Sequence, residues 1–274
     1  MKHTLLSDIS TNVRSEIIQR KDMRMITRRR VMGLGVGAVA SLFLKDGKEI
    51  SAFSKIGNYT ADPYAHNSDT LKRIREVDGL RIETDWLQLP PENNWGQCVV
   101  GHSYDEFYSL KVSEQLRQAT DLISDEARRV GSTELHIDAK EITHAPSFIE
   151  QIQKQEKKGP VAVSTPHHDF LWNLAENEFD GRILFTLSNE HMVKNFIKNH
   201  PPHHFEGRSF GVSIQYLALN KKYGEKLKDR GLYILAWTPN SARGILHSLE
   251  SGADGITSDD TRLLKRIGQN VKTA

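Results

Sequence analysis

The chain predicts a (β/α)8 barrel, one α/β domain of the TIM-barrel class, from three observations. Short apolar runs alternate with longer amphipathic stretches, the runs number about eight, and polar or charged residues collect at several run ends. With 274 residues, 38% of them apolar and 26% charged, the chain has the size and make-up of one such domain behind a short leader.

Residues 1–56 read as the leader and linker, and residues 57–274 as the barrel domain. The leader contains Thr27-Arg28-Arg29-Arg30, followed by an apolar run from Gly33 to Leu44. A basic start joined to about a dozen apolar residues resembles a twin-arginine export signal. The expected location is therefore periplasmic or secreted, with membrane association if the leader stays uncleaved. The first 55 residues carry a net charge of +6 against +2 for the whole chain, so the remainder is acidic, −4. A nucleic-acid partner would need a basic patch on the folded part, the sequence announces none, and no such partner is expected. The single cysteine, Cys98, allows no intramolecular disulfide.

Within the barrel, strands are expected at Tyr64 to His66, Gly79 to Trp86 with an adjunct at Cys98 to His102, Glu134 to Lys140, and Val161 to Thr165. They continue at Arg182 to Leu187, Ser209 to Ile214, Tyr233 to Trp237 and Gly255 to Thr257. Helical spacing occupies the gaps, at Ser113 to Val130, Ser147 to Lys157, His168 to Glu176, Asn189 to Asn199, Ala218 to Asp229 and Ala242 to Ser251. Strands regularly separated by helices require a parallel sheet.

Strand alternation then selects a site. A period of two puts Glu83 and Asp85 on one face and Ile82 and Thr84 on the other. Asp138 and Lys140 repeat the arrangement one strand on, beside outward-facing Leu135, Ile137 and Ala139. Three carboxylates thus converge on the mouth formed by the strands' C-terminal ends. Oxygen donors of this kind suit a hard divalent cation, Mg2+ or Ca2+, and the absence of HExxH or paired cysteines disfavours a softer metal. His136 faces inward with Asp138, as a ligand contact or as part of a polar layer. His167-His168 reads as a polar rim, the His200 to His204 loop as surface, and Asp259 as a helix cap.

From about residue 62 to 268 the chain resembles the glycerophosphodiester phosphodiesterase family, within the phospholipase C-like TIM-barrel phosphodiesterases. The family's I-E-x-D and V-V-x-H motifs are matched by Ile82-Glu83-Thr84-Asp85 and Val99-Val100-Gly101-His102, and its I-E-x-K by Ile137-Asp138-Ala139-Lys140. The most specific matches are Trp237-Thr238-Pro239-Asn240 and Gly252-Ala253-Asp254-Gly255-Ile256-Thr257-Ser258-Asp259. The family's H-R-G opening is replaced by Ala65-His66-Asn67-Ser68, a pairing reminiscent of sphingomyelinase D-type toxins and menorin-like proteins.

The resemblance implies metal-dependent hydrolysis of a small-molecule glycerophosphodiester to glycerol 3-phosphate and an alcohol. Glu83, Asp85 and Asp138 would hold the cation, His66 and His102 would act as acid and base, and Lys140, Trp237 and Asn67 would contact substrate. One alternative is a phospholipase D-type lipid phosphodiesterase, or a lyase releasing a cyclic phosphate. The other is a binding protein on a decayed barrel, favoured by the lost H-R-G and by Ser103 where the family has Asp. Export machinery would read the leader, and no stable protein partner is expected.

Overall fold

A computed structural model describes residues 48–66, 68–90 and 97–271. The leader motif, Asn67 and residues 91–96 lie outside this set. Among the described residues, nine strands form one sheet: β1 (Asp62–Ala65), β2 (Arg81–Gln88), β3 (Cys98–Val100), β4 (Leu135–Glu141), β5 (Val161–Thr165), β6 (Arg182–Leu187), β7 (Phe210–Gln215), β8 (Tyr233–Trp237) and β9 (Gly255–Ser258). Eight are parallel in the order β1-β9-β8-β7-β6-β5-β4-β2, and pairing of β1 with β2 closes the ring. The ninth, β3, is antiparallel to β2 and stands outside it, as the adjunct reading expects. This is the (β/α)8 TIM barrel.

Alternation divides the side chains into an outer shell and an inner column. Ile82, Leu135, Ile137, Ala139, Val161 and Val163 face outward into the main apolar cluster, where helices cover them. Tyr64, Ala162, Leu184 and Leu235 form a separate small cluster inside the ring. Stepping two residues toward the N-terminus from these four strands' inner positions reaches Asp62, Arg182 and Tyr233; two residues the other way reach His66, Ser164, Thr186 and Trp237. The barrel is therefore stacked in layers, with charge at the bottom, an apolar waist and a polar mouth. A tight approach explains Gly255, where a Cβ would lie 2.3 Å from the Tyr233 hydroxyl.

Two boundaries differ from expectation. The long helix expected over Ser113 to Val130 is broken into Val112–Gln115, a 3-10 turn Leu116–Gln118 and a helix Thr120–Arg129. Ala119 is drawn into extended backbone (ψ 128°), where it bridges Val99 of β3. The folded body also begins earlier than 57: residues 49–56 are helical, Ala52 and Ile56 join the main core, and Glu49 Oε1 accepts from Ala242 N. Among the described residues, no helix is long and apolar enough to cross a membrane.

Candidate active site

The middle of β2 delivers Glu83 and Asp85 to the mouth, and β4 delivers Asp138 in register with Asp85. One oxygen from each carboxylate falls within 4.8 Å of the others. This part of β2 is pinned by backbone bonds from Ser68 N to Glu83 O (3.1 Å) and from Gly101 N to Asp85 O (2.9 Å). These two contacts fix the loops bearing His66 and His102 around the carboxylates. Both histidines, Glu83, Asp138, Lys140 and Trp237 line one cavity of about 460 Å³. The sequence-predicted residues that are described thus meet in one place, with Asp85 completely buried beneath them.

The cluster carries more negative charge than it neutralises. Lys140 Nζ lies 3.2 Å from Asp85 Oδ1 and also pairs with Asp138 Oδ2. Burial disfavours its ammonium, but Asp138 and Asp85 outweigh that and raise its pKa. Burial, then the adjacent Asp85 and Asp138, push Glu83 well above the usual carboxylate range. Asp85 is likewise raised, chiefly by burial, with Lys140 opposing. Neither buried oxygen of Asp85 has a well-aligned hydrogen bond. Buried carboxylate oxygens left in that state are costly unless a cation compensates them. The donor set and the orphaned oxygens therefore fit a hard divalent cation held by Glu83, Asp85 and Asp138.

Asp138 has a second support. Ser164 Oγ donates to Asp138 Oδ1 at 2.7 Å, and His136 Nε2 lies 2.9 Å from the same hydroxyl. Since Ser164 spends its proton on Asp138, His136 is the donor to Ser164. Burial lowers the His136 pKa to about 4, so the ring is neutral at neutral pH. Its place is a polar layer edge-on to Tyr64, and it also borders the cavity.

Three residues of the site escaped the sequence reading. Asp69 Oδ1 accepts from Asp85 N at 3.0 Å, and burial with the nearby Asp85 carboxylate raises it to about 7. Asp259 is not the expected helix cap. Asp260 fills that role, accepting from Arg262 N and Leu263 N, while Asp259 Oδ1 lies 2.9 Å from His66 Nδ1. Asn240 of the W-T-P-N stretch donates to Asp259 Oδ2 at 2.6 Å. By contrast, His167 is exposed outside the cavity, and His168 packs on Phe185 and Phe196.

Known structures of similar shape carry the same kind of barrel. An Oleispira antarctica phosphodiesterase in complex with the product sn-glycerol-3-phosphate aligns with a TM-score of 0.59 at 16% identity, over 79% of this chain and 99% of that one. A Silicibacter pomeroyi protein described as a glycerophosphoryl diester phosphodiesterase aligns at 0.60 and 13%, over 78% and 94%. A glycerophosphodiester phosphodiesterase from Parabacteroides distasonis aligns at 0.59 and 14%, over 78% and 98%. At such identities these likenesses speak to fold. No curated protein matches the chain by sequence. The sequence model of the Glycerophosphoryl diester phosphodiesterase family matches residues 105–263, a span that includes Asp138, Lys140, Trp237 and Asp259 and begins after His102. With more than half of its length inside that match, the chain belongs to the glycerophosphoryl diester phosphodiesterase family and is a phosphoric diester hydrolase.

Proposed function

We propose that the enzyme cleaves a water-soluble glycerophosphodiester to glycerol 3-phosphate and an alcohol, with His66 and His102 exchanging protons with the attacking and leaving oxygens. The observation that carries this reading is the placement of both imidazoles and Lys140 on the wall of the cavity that contains the carboxylates. A divalent cation, Mg2+ or Ca2+, held by Glu83, Asp85 and Asp138 would supply Lewis-acid stabilisation of charge on the phosphoryl oxygens. Lys140 adds a fixed positive charge at the same place. Histidine suits the proton transfers because its ordinary pKa allows it to give and take a proton near neutrality.

The size of the cavity supports a small substrate. At about 460 Å³ it is lined by Ser188, Ser213 and Thr238 beside Met192 and Trp237. A lysophospholipid or sphingolipid would call for an extended apolar channel. The product bound in the Oleispira antarctica protein, sn-glycerol-3-phosphate, supports the glycerol assignment. The binding-protein alternative is set aside by membership of a hydrolase family.

The test combines a metal screen with a panel of glycerophosphodiesters, reading glycerol 3-phosphate release against choline release from lysophosphatidylcholine. Glycerol 3-phosphate release that needs added Mg2+ or Ca2+ is the expected result. Choline as the main product would favour the lipid reading. His66→Ala and His102→Ala should each slow turnover on the order of 10² to 10⁴-fold, and the double variant should lose little more than either. Near-normal rates in both would remove the acid-base assignment.

A further inference from the structure

We propose that Asp259 is the positioning residue for His66, and that Asn240 holds Asp259 in place for that task. The inference rests on the reading of His66 as a proton-transfer group. It concerns what makes that imidazole competent, and it joins the two C-terminal motifs to the first strand's histidine.

The geometry is specific at both oxygens of the carboxylate. Oδ1 meets His66 Nδ1 at 2.9 Å, and Oδ2 accepts from Asn240 Nδ2 at 2.6 Å. Asn240 is itself locked, because its Oδ1 accepts from Asp259 N (2.9 Å) and lies 2.9 Å from Ser258 Oγ. Ser258 Oγ also lies 2.8 Å from Pro239 O. A guanidinium contact from Arg73 Nη2 to Asp259 O (3.1 Å) closes the back of the group. His66 needs such a clamp, since it sits beyond the last residue of β1 and is tied by its backbone to Ser258 O of β9.

The chemistry of the pair follows from donor and acceptor roles. A carboxylate can only accept, so His66 Nδ1 must carry the proton in this contact. That choice makes Nε2 the nitrogen turned toward the carboxylate cluster, where it lies 3.8 Å from Glu83 Oε2. Asp259 therefore selects both the tautomer and the ring orientation without touching substrate. The hydrogen bonds from His66 and Asn240 lower the Asp259 pKa against its burial, which keeps it an acceptor. His102, exposed at the same cavity, has no comparable buttress in the described contacts.

The experiment uses the full chain and two independent readouts. Nitrogen-15 spectra of the histidine rings, taken without substrate, should give a His66 signal with protonated Nδ1 and bare Nε2. Asp259→Asn should lose that pattern, because the amide can offer a donor in place of the acceptor. In turnover, Asp259→Ala and Asp259→Asn should lower kcat on the order of 10 to 10²-fold with KM unchanged. Asp259→Ala placed in the His66→Ala background should then cost almost nothing further. An unchanged His66 tautomer in Asp259→Asn would overturn the proposal, as would an equal loss in the two backgrounds. If no phosphodiester is cleaved by the wild type, the spectra still decide the tautomer, and only the catalytic reading fails.

Discussion

The two ends of this barrel hold similar charges under opposite rules. At the bottom, Asp62, Arg81, Glu134 and Arg182 pair two anions with two cations: Arg81 Nη2 meets Asp62 at 2.8 Å, and Arg182 Nη1 meets Glu134 at 2.9 Å. Tyr64 donates to Glu134 and accepts from both arginines, Tyr233 donates to Asp62, and the Arg182 guanidinium stacks 3.9 Å over the Tyr233 ring. At the mouth, with Asp69 beside them as a further acid, the three carboxylates of the candidate cation site face one lysine, an excess of two negative charges when all three are ionised. That is the charge of one divalent cation. A network that closes on itself can stabilise the fold, whereas one left open is a site waiting for a partner.

The largest effect that would sharpen this contrast is expected at the mouth. Asp85→Asn should reduce metal-stimulated turnover on the order of 10³-fold, because a Lewis acid supplies several kcal/mol of transition-state stabilisation. The metal-free variant should melt at or above the wild-type temperature, since a fully buried carboxylate crowded by other acids has been neutralised while Lys140 keeps Asp138 as its partner. A marked drop in melting temperature would show that the mouth carboxylates are structural after all. Arg182→Met tests the other end. It strips Glu134 and Tyr64 of a partner and should cost about 3–5 kcal/mol in urea unfolding with KM unmoved. Loss of activity without loss of stability would break the comparison.

His136 lies between the two ends and predicts a pH effect. Its folded pKa is about 4 against 6.5 for the free side chain, so folding favours the neutral ring. The stabilisation is complete above pH 6.5 and is lost as pH falls toward 4. Roughly 3 kcal/mol is at stake by linkage. The raised carboxylates Asp69, Glu83 and Asp85 oppose this slope, so urea titrations of metal-free wild type and His136→Gln at several pH values in the window should differ by the His136 contribution. The smallest effect concerns the entry helix. A chain starting at Gly57 loses the fully buried Ile56 and should be destabilised by about 2 kcal/mol. Equal stability of the two chains would return residues 49–56 to the linker.

Alternation made most of the site legible. Glu83, Asp85 and Asp138 could be placed together because strand period and register carry the information locally. Asp259 could not, since its partner His66 is 193 residues away and an acidic residue just before a helix ordinarily reads as a cap. Its neighbour Asp260 took the cap and freed Asp259 for the histidine. Asp69 was missed for a related reason: in Asn67-Ser68-Asp69-Thr70 the residue types signal a turn, and only the structure brings its carboxylate to Asp85 N. The helix over 49–56 was hidden by its proximity to the basic leader, although Ala52 and Ile56 recur at helical spacing.

The closure of the ring by β1, which runs between β2 and β9, also ties chemistry to the order in which the protein is made. Synthesis proceeds from the N-terminus, so Glu83, Asp85 and both histidines emerge well before Asn240, β9 and Asp259. A nascent chain that stops short of residue 255 can contain Glu83, Asp85 and Asp138, yet it lacks the strand on one side of β1 and the acceptor for His66. Contacts so distant along the chain are entropically late to form. The stretch from Asn240 to Asp259, made after the rest of the barrel, is thus the one that turns a set of polar side chains into a complete site.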